Sequence, residues 1–202
     1  MNKQLLDIGV TLLEDGRAVA IRTLAAGDYA ALLAFARALP HNDYEYIPDD
    51  FHDPELIGRL IAMSPAAHWR QLIASSGDTI VGYSAVRRLS GWSSHVGEIL
   101  LVVSAGWRCA GLGSVLAGAI LDAAHELEVT QVIVEMLEEQ AAGRAIFERL
   151  GFSIEGLLEG QVRDRQGRHH NMLVMARPID RYAAMGCDKS HSEIVSHLLD
   201  SQ

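Results

Sequence analysis

Cysteine is scarce in this sequence. Cys109 and Cys187 are the two present, and two cysteines make no disulfide framework. Long apolar runs are missing as well: no stretch of the chain approaches the ~18 residues that a membrane-crossing helix requires. Met1-Asn2-Lys3-Gln4 leads into mixed acidic and apolar residues rather than a secretory apolar core. The simplest expectation is a cytoplasmic protein outside the membrane. Positive charge is in deficit, with 17 Lys and Arg against 26 Asp and Glu and a formal net charge of −9. That balance argues against a general nucleic-acid binder and suits a cationic partner. Internal repeats and low-complexity segments are absent too.

What is present is enough for one ordinary domain. The chain has 202 residues, 49% of them hydrophobic, which excludes a disordered polypeptide and allows a proper core. Its organising stretch is 97–118. An apolar run, Ile99 to Val103, breaks at Ser104-Ala105-Gly106, and Arg108-x-x-Gly111-x-Gly113 opens a long apolar-periodic segment. This reads as a buried strand, a glycine-bearing turn and a helix start. Such a turn gathers backbone N–H groups at the positive end of a helix dipole and so favours an anion. Arg108 adds a planar donor suited to phosphate. A plain tight turn capping a helix is the bland alternative.

Spacing separates the phosphate-binding loops. A dinucleotide fingerprint needs Gly or Ala three residues after Gly113, where Leu116 stands. A P-loop needs Gly-Lys-Ser/Thr, but Ser114 follows Gly113 directly. The Arg/Gln-x-x-Gly-x-Gly/Ala turn is complete, with its strand before and helix after. In this the chain resembles the GNAT family of N-acetyltransferases, whose turn grips the pyrophosphate of acetyl-CoA. A second piece lies at 140–152, where the family commonly shows Asn-x-x-Ala-x-x-x-Tyr-x-x-x-Gly-Phe. Gly151 and Phe152 match, while Gln140, Gly143 and Phe147 replace the Asn, Ala and Tyr.

The rest of the chain fits that order. Residues 10–13 and 18–24 flank Glu14-Asp15-Gly16-Arg17 as a hairpin. Asp28 is positioned to cap an Ala/Leu-rich helix ending near Leu39, before Pro40, and Pro54 opens a second helix to Met63. Segments 68–75 and 79–89 form another hairpin around Ser76-Gly77-Asp78. Leu112, Val115, Leu116, Ala119, Ile120, Ala123 and Leu127 recur at helical spacing, and 131–136 reads as a buried strand, so the crossover implies parallel pairing. Segments 152–159 and 168–177 make a last hairpin.

The expected fold is therefore α/β of GNAT type: a mixed, mostly antiparallel sheet of six to seven strands with about four helices. The domain spans residues 1–177, and 178–202 forms a tail expected to be helical, packing on its own domain or on a second subunit. The loop 41–53 carries five carboxylates, three aromatics and no Lys or Arg. It is either a solvated loop or the rim of an acceptor site.

The resemblance implies roles for particular residues. Val102, Val103 and Ser104 would offer backbone N–H groups to the thioester and pantetheine, from strands splayed after Val103. Arg108, Cys109, Ala110, Gly111, Leu112, Gly113 and Ser114 would hold the pyrophosphate. Gln140 would offer an amide to pantetheine, and Phe147 occupies a cofactor-lining position without a hydroxyl to donate. Glu98, ten residues before Arg108, is the expected base, its pKa raised by burial. The competing reading is a carboxylate that merely pairs with Arg87 or Arg88. His95 and Glu135 stand in reserve as bases, and Tyr83 as an acid. His169 and His170, being neighbours on a strand, point to opposite faces, so a metal pair is not expected. The implied activity is direct acetyl transfer from acetyl-CoA to a primary amine of a small molecule, a protein lysine or an N-terminus, by a monomer or homodimer without a metal. Residues 12–24 are similar to the branch with protein-lysine acetyltransferase domains. The rival is a non-catalytic acyl-CoA-binding regulatory domain, and a weaker third reading is a nucleotide-binding domain.

Overall fold

The computed structural model describes residues 7–40, 51–64, 66–164 and 166–179. Eight strands form one sheet: β1 (Asp7–Leu12), β2 (Ala18–Thr23), β3 (Trp69–Ser76), β4 (Thr79–Arg88), β5 (Val96–Val103), β6 (Gln131–Leu137), β7 (Ser153–Arg163) and β8 (His169–Pro178). Their order is β1-β2-β3-β4-β5-β6-β8-β7. Every neighbouring pair is antiparallel except β5 and β6. The sheet thus has one strand more than the six to seven expected. β8 runs through Pro178, one residue beyond the expected domain limit. The tail beyond Ile179 lies outside the described residues.

Four helices cover the two faces. α1 (Tyr29–Ala38) and α2 (Pro54–Met63) lie on one, α3 (Leu112–His125) and α4 (Ala141–Arg149) on the other. Period-2 alternation along the strands divides the core accordingly. Leu72, Ala74, Ile99, Val132, Val134 and Met175 pack with α3 and α4. Ile73, Tyr83, Ala85 and Val102 pack with α1 and α2. α3 lies closest to the sheet at Gly82, where an added Cβ would sit 2.6 Å from Leu116 Cδ1.

Two local expectations change. Asp28 precedes α1 but gives the helix no side-chain cap. Its carboxylate instead turns back to accept from the Ala25 N–H at 2.8 Å and to pair with both terminal nitrogens of Arg22 at 2.7 Å. The Arg22 hydrogen bonds hold the Asp28 carboxyl below its ordinary pKa. The short 3-10 turn Ala26–Asp28, inserted before α1, puts Asp28 out of reach of the N–H groups it was expected to cap. In α2 the cap is Asp53, accepting from the Glu55 N–H at 2.9 Å, with Pro54 at the first turn. Of the acidic loop, residues 41–50 lie outside the described residues. Phe51 is buried edge-on against Tyr83, and Asp53 is spent as that cap.

Candidate active site

The site is laid out by the register of the sheet. On the face shared with α1 and α2, one row of side chains runs Trp69, Arg87, Glu98, Ile133 across β3, β4, β5 and β6. Two residues further along, the row runs Gln71, Ala85, Leu100 and, across a gap, Glu135. The parallel ladder ends at Ile99 and Val134, whereas β5 stays paired with β4 as far as Val103. The strands therefore part after Ile99, four residues before the expected point after Val103. The opening is bordered by the backbones of Leu100–Val103 and Glu135–Leu137. Parallel strands joined by a helical crossover separate readily at their carboxyl ends, where ligands of open α/β sheets bind.

Beyond Val103 the chain makes the glycine-bearing turn. A 3-10 turn covers Ala105–Trp107, Cys109 is left-handed at φ 56, and Gly111 at φ 85 forms the N-cap of α3 with no side-chain cap. The first-turn N–H groups of Leu112, Gly113 and Ser114 have no carbonyl one turn earlier, as at any helix start; Leu112 is fully buried, while Gly113 and Ser114 are partly exposed. The strand, the glycine-bearing turn and the helix start thus stand where the spacing puts them. A side chain at Gly111 would meet the Glu14 carboxylate at 3.1 Å as well as the positive φ. Gly113 answers a different need: a Cβ there would lie 2.8 Å from Ile146 Cδ1, so the glycine lets α4 close on the start of α3.

Ala110 and Leu112 are buried, backbone included. Cys109 is exposed. Arg108 folds back, its Nε and Nη2 each donating to the Val103 carbonyl at 3.2 Å. Ser114 Oγ accepts from Arg149 Nη2 at 3.2 Å. Arg17 from the N-terminal hairpin donates to the Gly106 carbonyl at 2.9 Å and lies 4.0 Å over the Trp107 ring. Sequence reading missed Arg149 and Arg17 as neighbours of that turn. Neither lies near it in the chain, and the one available signal was the proximity of the second motif, which carries Arg149.

The second motif is used differently from expectation. Gln140 Oε1 accepts from the Leu137 N–H at 2.9 Å, closing the end of β6 where β5 has parted. Its amide nitrogen is the part left to a ligand. Phe147 is 2% exposed and packs edge-to-face on Phe152 at 5.0 Å. Its ring belongs to the core and not to a cofactor-lining surface, because α4 turns that position inward onto Phe152. Tyr83 is fully buried, its hydroxyl donating to Gln71 Oε1 at 2.6 Å, and so it is withdrawn as an acid.

The carboxylates are redistributed as well. Glu98 forms an ion pair with Arg87 at 2.6 Å, the pairing that competed with its role as base. Arg87 in turn lies 6.0 Å from the centroid of the Trp69 ring. Glu135 is exposed on the open face. Desolvation of its carboxyl by the surrounding protein, and then the charge of Glu98, raise its pKa. His95 sits at the far, amino end of β5, with its carbonyl bound by the Thr130 and Gln131 N–H groups. His169 and His170 diverge as expected. His169 Nδ1 meets the Gly160 carbonyl, while His170 bridges Glu139 and Asp164 at 2.9 and 3.1 Å. Among the described residues no group of three His, Cys, Asp or Glu is arranged to hold a metal, and no helix is long and apolar enough to cross a membrane.

The site thus combines a sheet parted at one parallel pair with a glycine turn and a helix N-terminus just beyond β5. The acetyltransferase (GNAT) family profile matches residues 29–152, and the chain belongs to that family of acyltransferases. No curated relative matches. Among solved structures, the fold is similar to a GNAT-family acetyltransferase from Streptococcus pneumoniae (19% identity, 80% of this chain and 99% of that one, TM-score 0.70). It is likewise similar to a ribosomal-protein-alanine N-acetyltransferase from Brucella melitensis (23%, 79% and 99%, 0.69). A phosphinothricin acetyltransferase from Sinorhizobium meliloti, solved in complex with acetyl-CoA, is a third (16%, 86% and 94%, 0.69).

Proposed function

We propose that the protein transfers an acetyl group from acetyl-CoA to the primary amine of a cationic acceptor, either a small amine or a protein lysine or N-terminus. The observation that carries this reading is the gap between β5 and β6, which opens at Leu100 opposite Glu135 and leads to the helix N-terminus at Gly111. Acetyl-CoA supplies an activated acyl thioester. Its pyrophosphate suits the partly exposed helix start at Gly113 and Ser114, with Arg108 and Arg149 alongside. Its amide-rich pantetheine suits an unpaired strand edge, where the backbones of Val102 and Val103 and the Gln140 amide offer hydrogen bonds. Ser104, expected to share that role, instead donates its N–H to the Val81 carbonyl at 3.0 Å. N–H groups aimed at the thioester carbonyl would stabilise the charge that develops on its oxygen. The acceptor would enter from the face that α1 and α2 leave open over β6, where the carboxylates attract a cation. Phe147 and Tyr83 offer no proton to the departing thiolate, which leaves as a stable anion.

The test is CoA release from acetyl-CoA against lysine peptides, polyamines and aminoglycosides. Turnover on at least one amine is expected. Saturable acetyl-CoA binding with no release on any of them sinks the transfer reading and leaves a regulatory acyl-CoA binder.

A further inference from the structure

We propose that His170 is a positioning residue for the cofactor side of the gap. As an imidazolium it clamps the loop after β6 to the β7–β8 hairpin and so fixes the Gln140 amide. The assignment rests on the acetyl-CoA reading above.

The clamp joins two distant segments through one ring. His170 Nδ1 lies 2.9 Å from Glu139 Oε1, and its Nε2 lies 3.1 Å from Asp164 Oδ2. Asp164 belongs to the hairpin turn. Its side chain is fully buried and accepts from the Arg168 backbone N–H at 2.8 Å and from Arg168 Nε at 2.6 Å. Glu139 immediately precedes Gln140, the N-cap of α4. Gln140 spends its Oε1 on the Leu137 N–H, which leaves the amide nitrogen for pantetheine. The same loop meets β8 at Asn171, whose carbonyl accepts from the Glu138 N–H at 3.1 Å and whose amide donates to Glu138 Oε2 at 2.9 Å. The Asn171 bonds are indifferent to pH near neutrality, whereas the His170 bridge is not.

The bridge dictates a charge state. An ionised carboxylate only accepts hydrogen bonds, so both ring nitrogens must carry hydrogen, and a ring with two N–H groups is the cation. The bonds to Glu139 and then to Asp164 raise the His170 pKa, and the bond from His170 lowers that of Glu139. Few other groups face the ring. Glu138 is taken up by Asn171 and Arg168 by Asp164, while β7 places the uncharged Val162 opposite. Arg163 pairs with His169 on the other face of the hairpin. Glu135 stands on the same face two rows away, beyond Leu137 and Met172.

Loss of one ring proton turns a lone pair on a carboxylate. Asp164 is buried and keeps its donors, whereas Glu139 is exposed and can turn to water. The neutral ring therefore keeps Nε2–H on Asp164 and releases Glu139, which loosens the loop that carries Gln140.

The experiment follows the His170 ring by nitrogen NMR over pH in the full chain, and measures the acetyl-CoA Kd by calorimetry below and above its transition. Wild type should show two ring N–H groups at neutral pH and titrate above the ordinary 6.5. Its Kd should rise about three- to tenfold through that transition, the worth of one hydrogen bond. His170→Gln should lose the rise. In Glu139→Gln the amide serves either form of the ring, as acceptor or donor, so the transition should fall and the Kd stay low on both sides. Gln140→Ala should raise the Kd throughout and remove the rise, while His170 titrates as in wild type. A neutral ring at neutral pH, or the same pH course of Kd in wild type and His170→Gln, overturns the clamp while acetyl-CoA binding stands. A wild type that binds no acetyl-CoA overturns both.

Discussion

The two faces of the sheet at β5 and β6 differ in kind. The face under α3 and α4 is a continuous apolar core of Ile99, Val132, Val134, Leu116, Ile120 and Phe147, all buried. Across the same strands, the other face is covered by α1 and α2 only as far as Val102. Over β6 it carries charge and partly exposed side chains. In the proposed reaction cofactor positioning falls to the first face, because backbone geometry at a helix start depends on packing behind it. In that reaction acceptor chemistry falls to the second, where charged side chains reach the surface. One strand pair serves both needs by parting after Ile99.

The comparison is broken most severely at the turn. Gly111→Val forces a β-branched residue into φ 85 against Glu14, at a cost of about 1–3 kcal/mol. It should raise the acetyl-CoA Kd at least about tenfold, since 1.4 kcal/mol is a factor of ten. Calorimetric binding checks this, and an unchanged Kd would remove the turn from the site. Next, Gly82→Ala drives a methyl into Leu116 at 2.6 Å. Overpacking of this sort costs about 1–3 kcal/mol, measured by urea unfolding, and a neutral result would mean that α3 slides freely on the sheet.

Tyr83→Phe removes the donor to Gln71 Oε1. It should cost about 1–2 kcal/mol of stability and leave kcat intact. A large fall in kcat with stability preserved would return Tyr83 to the chemistry.

The smallest effect concerns the hairpin wall beside the open face. The hydrogen bond to Glu139, then that to Asp164, raises the His170 pKa. Burial works to raise the Asp164 pKa, but bonds from His170 and Arg168 outweigh it and leave the carboxyl well below its ordinary value. The His170 contribution is full below its unfolded pKa of 6.5 and is lost as pH rises through the raised value. That of Asp164 is present above 3.8 and fails in acid as pH falls through the depressed value. The Tm advantage of wild type over His170→Gln should therefore shrink from mildly acidic to alkaline pH. A gap that widens instead would reverse the sign of the His170 shift.

Legibility in the sequence followed the range of the interactions. The hairpin at Asp15-Gly16, the Pro54 start of α2, the α3 periodicity and the glycine-bearing turn that opens it all rest on local conformational rules, and each appears in the structure. Asp28 misled because Arg22, six residues away, competes for its carboxylate. Gln140 and Phe147 were assigned by motif register. Their actual partners, the Leu137 N–H and the Phe152 ring, follow from how α4 closes on β6 and β8.

The sequence by itself therefore determined the class of fold, the crossover at α3 and the glycine-bearing turn, because strand alternation, helical period and glycine dihedrals are written residue by residue. Only the tertiary structure decided where β5 and β6 part, which carboxylate is held by Arg87, and which is left facing the gap. Those outcomes depend on register between strands distant in the chain, and a shift of one residue would have moved Glu98 and Glu135 to the buried face.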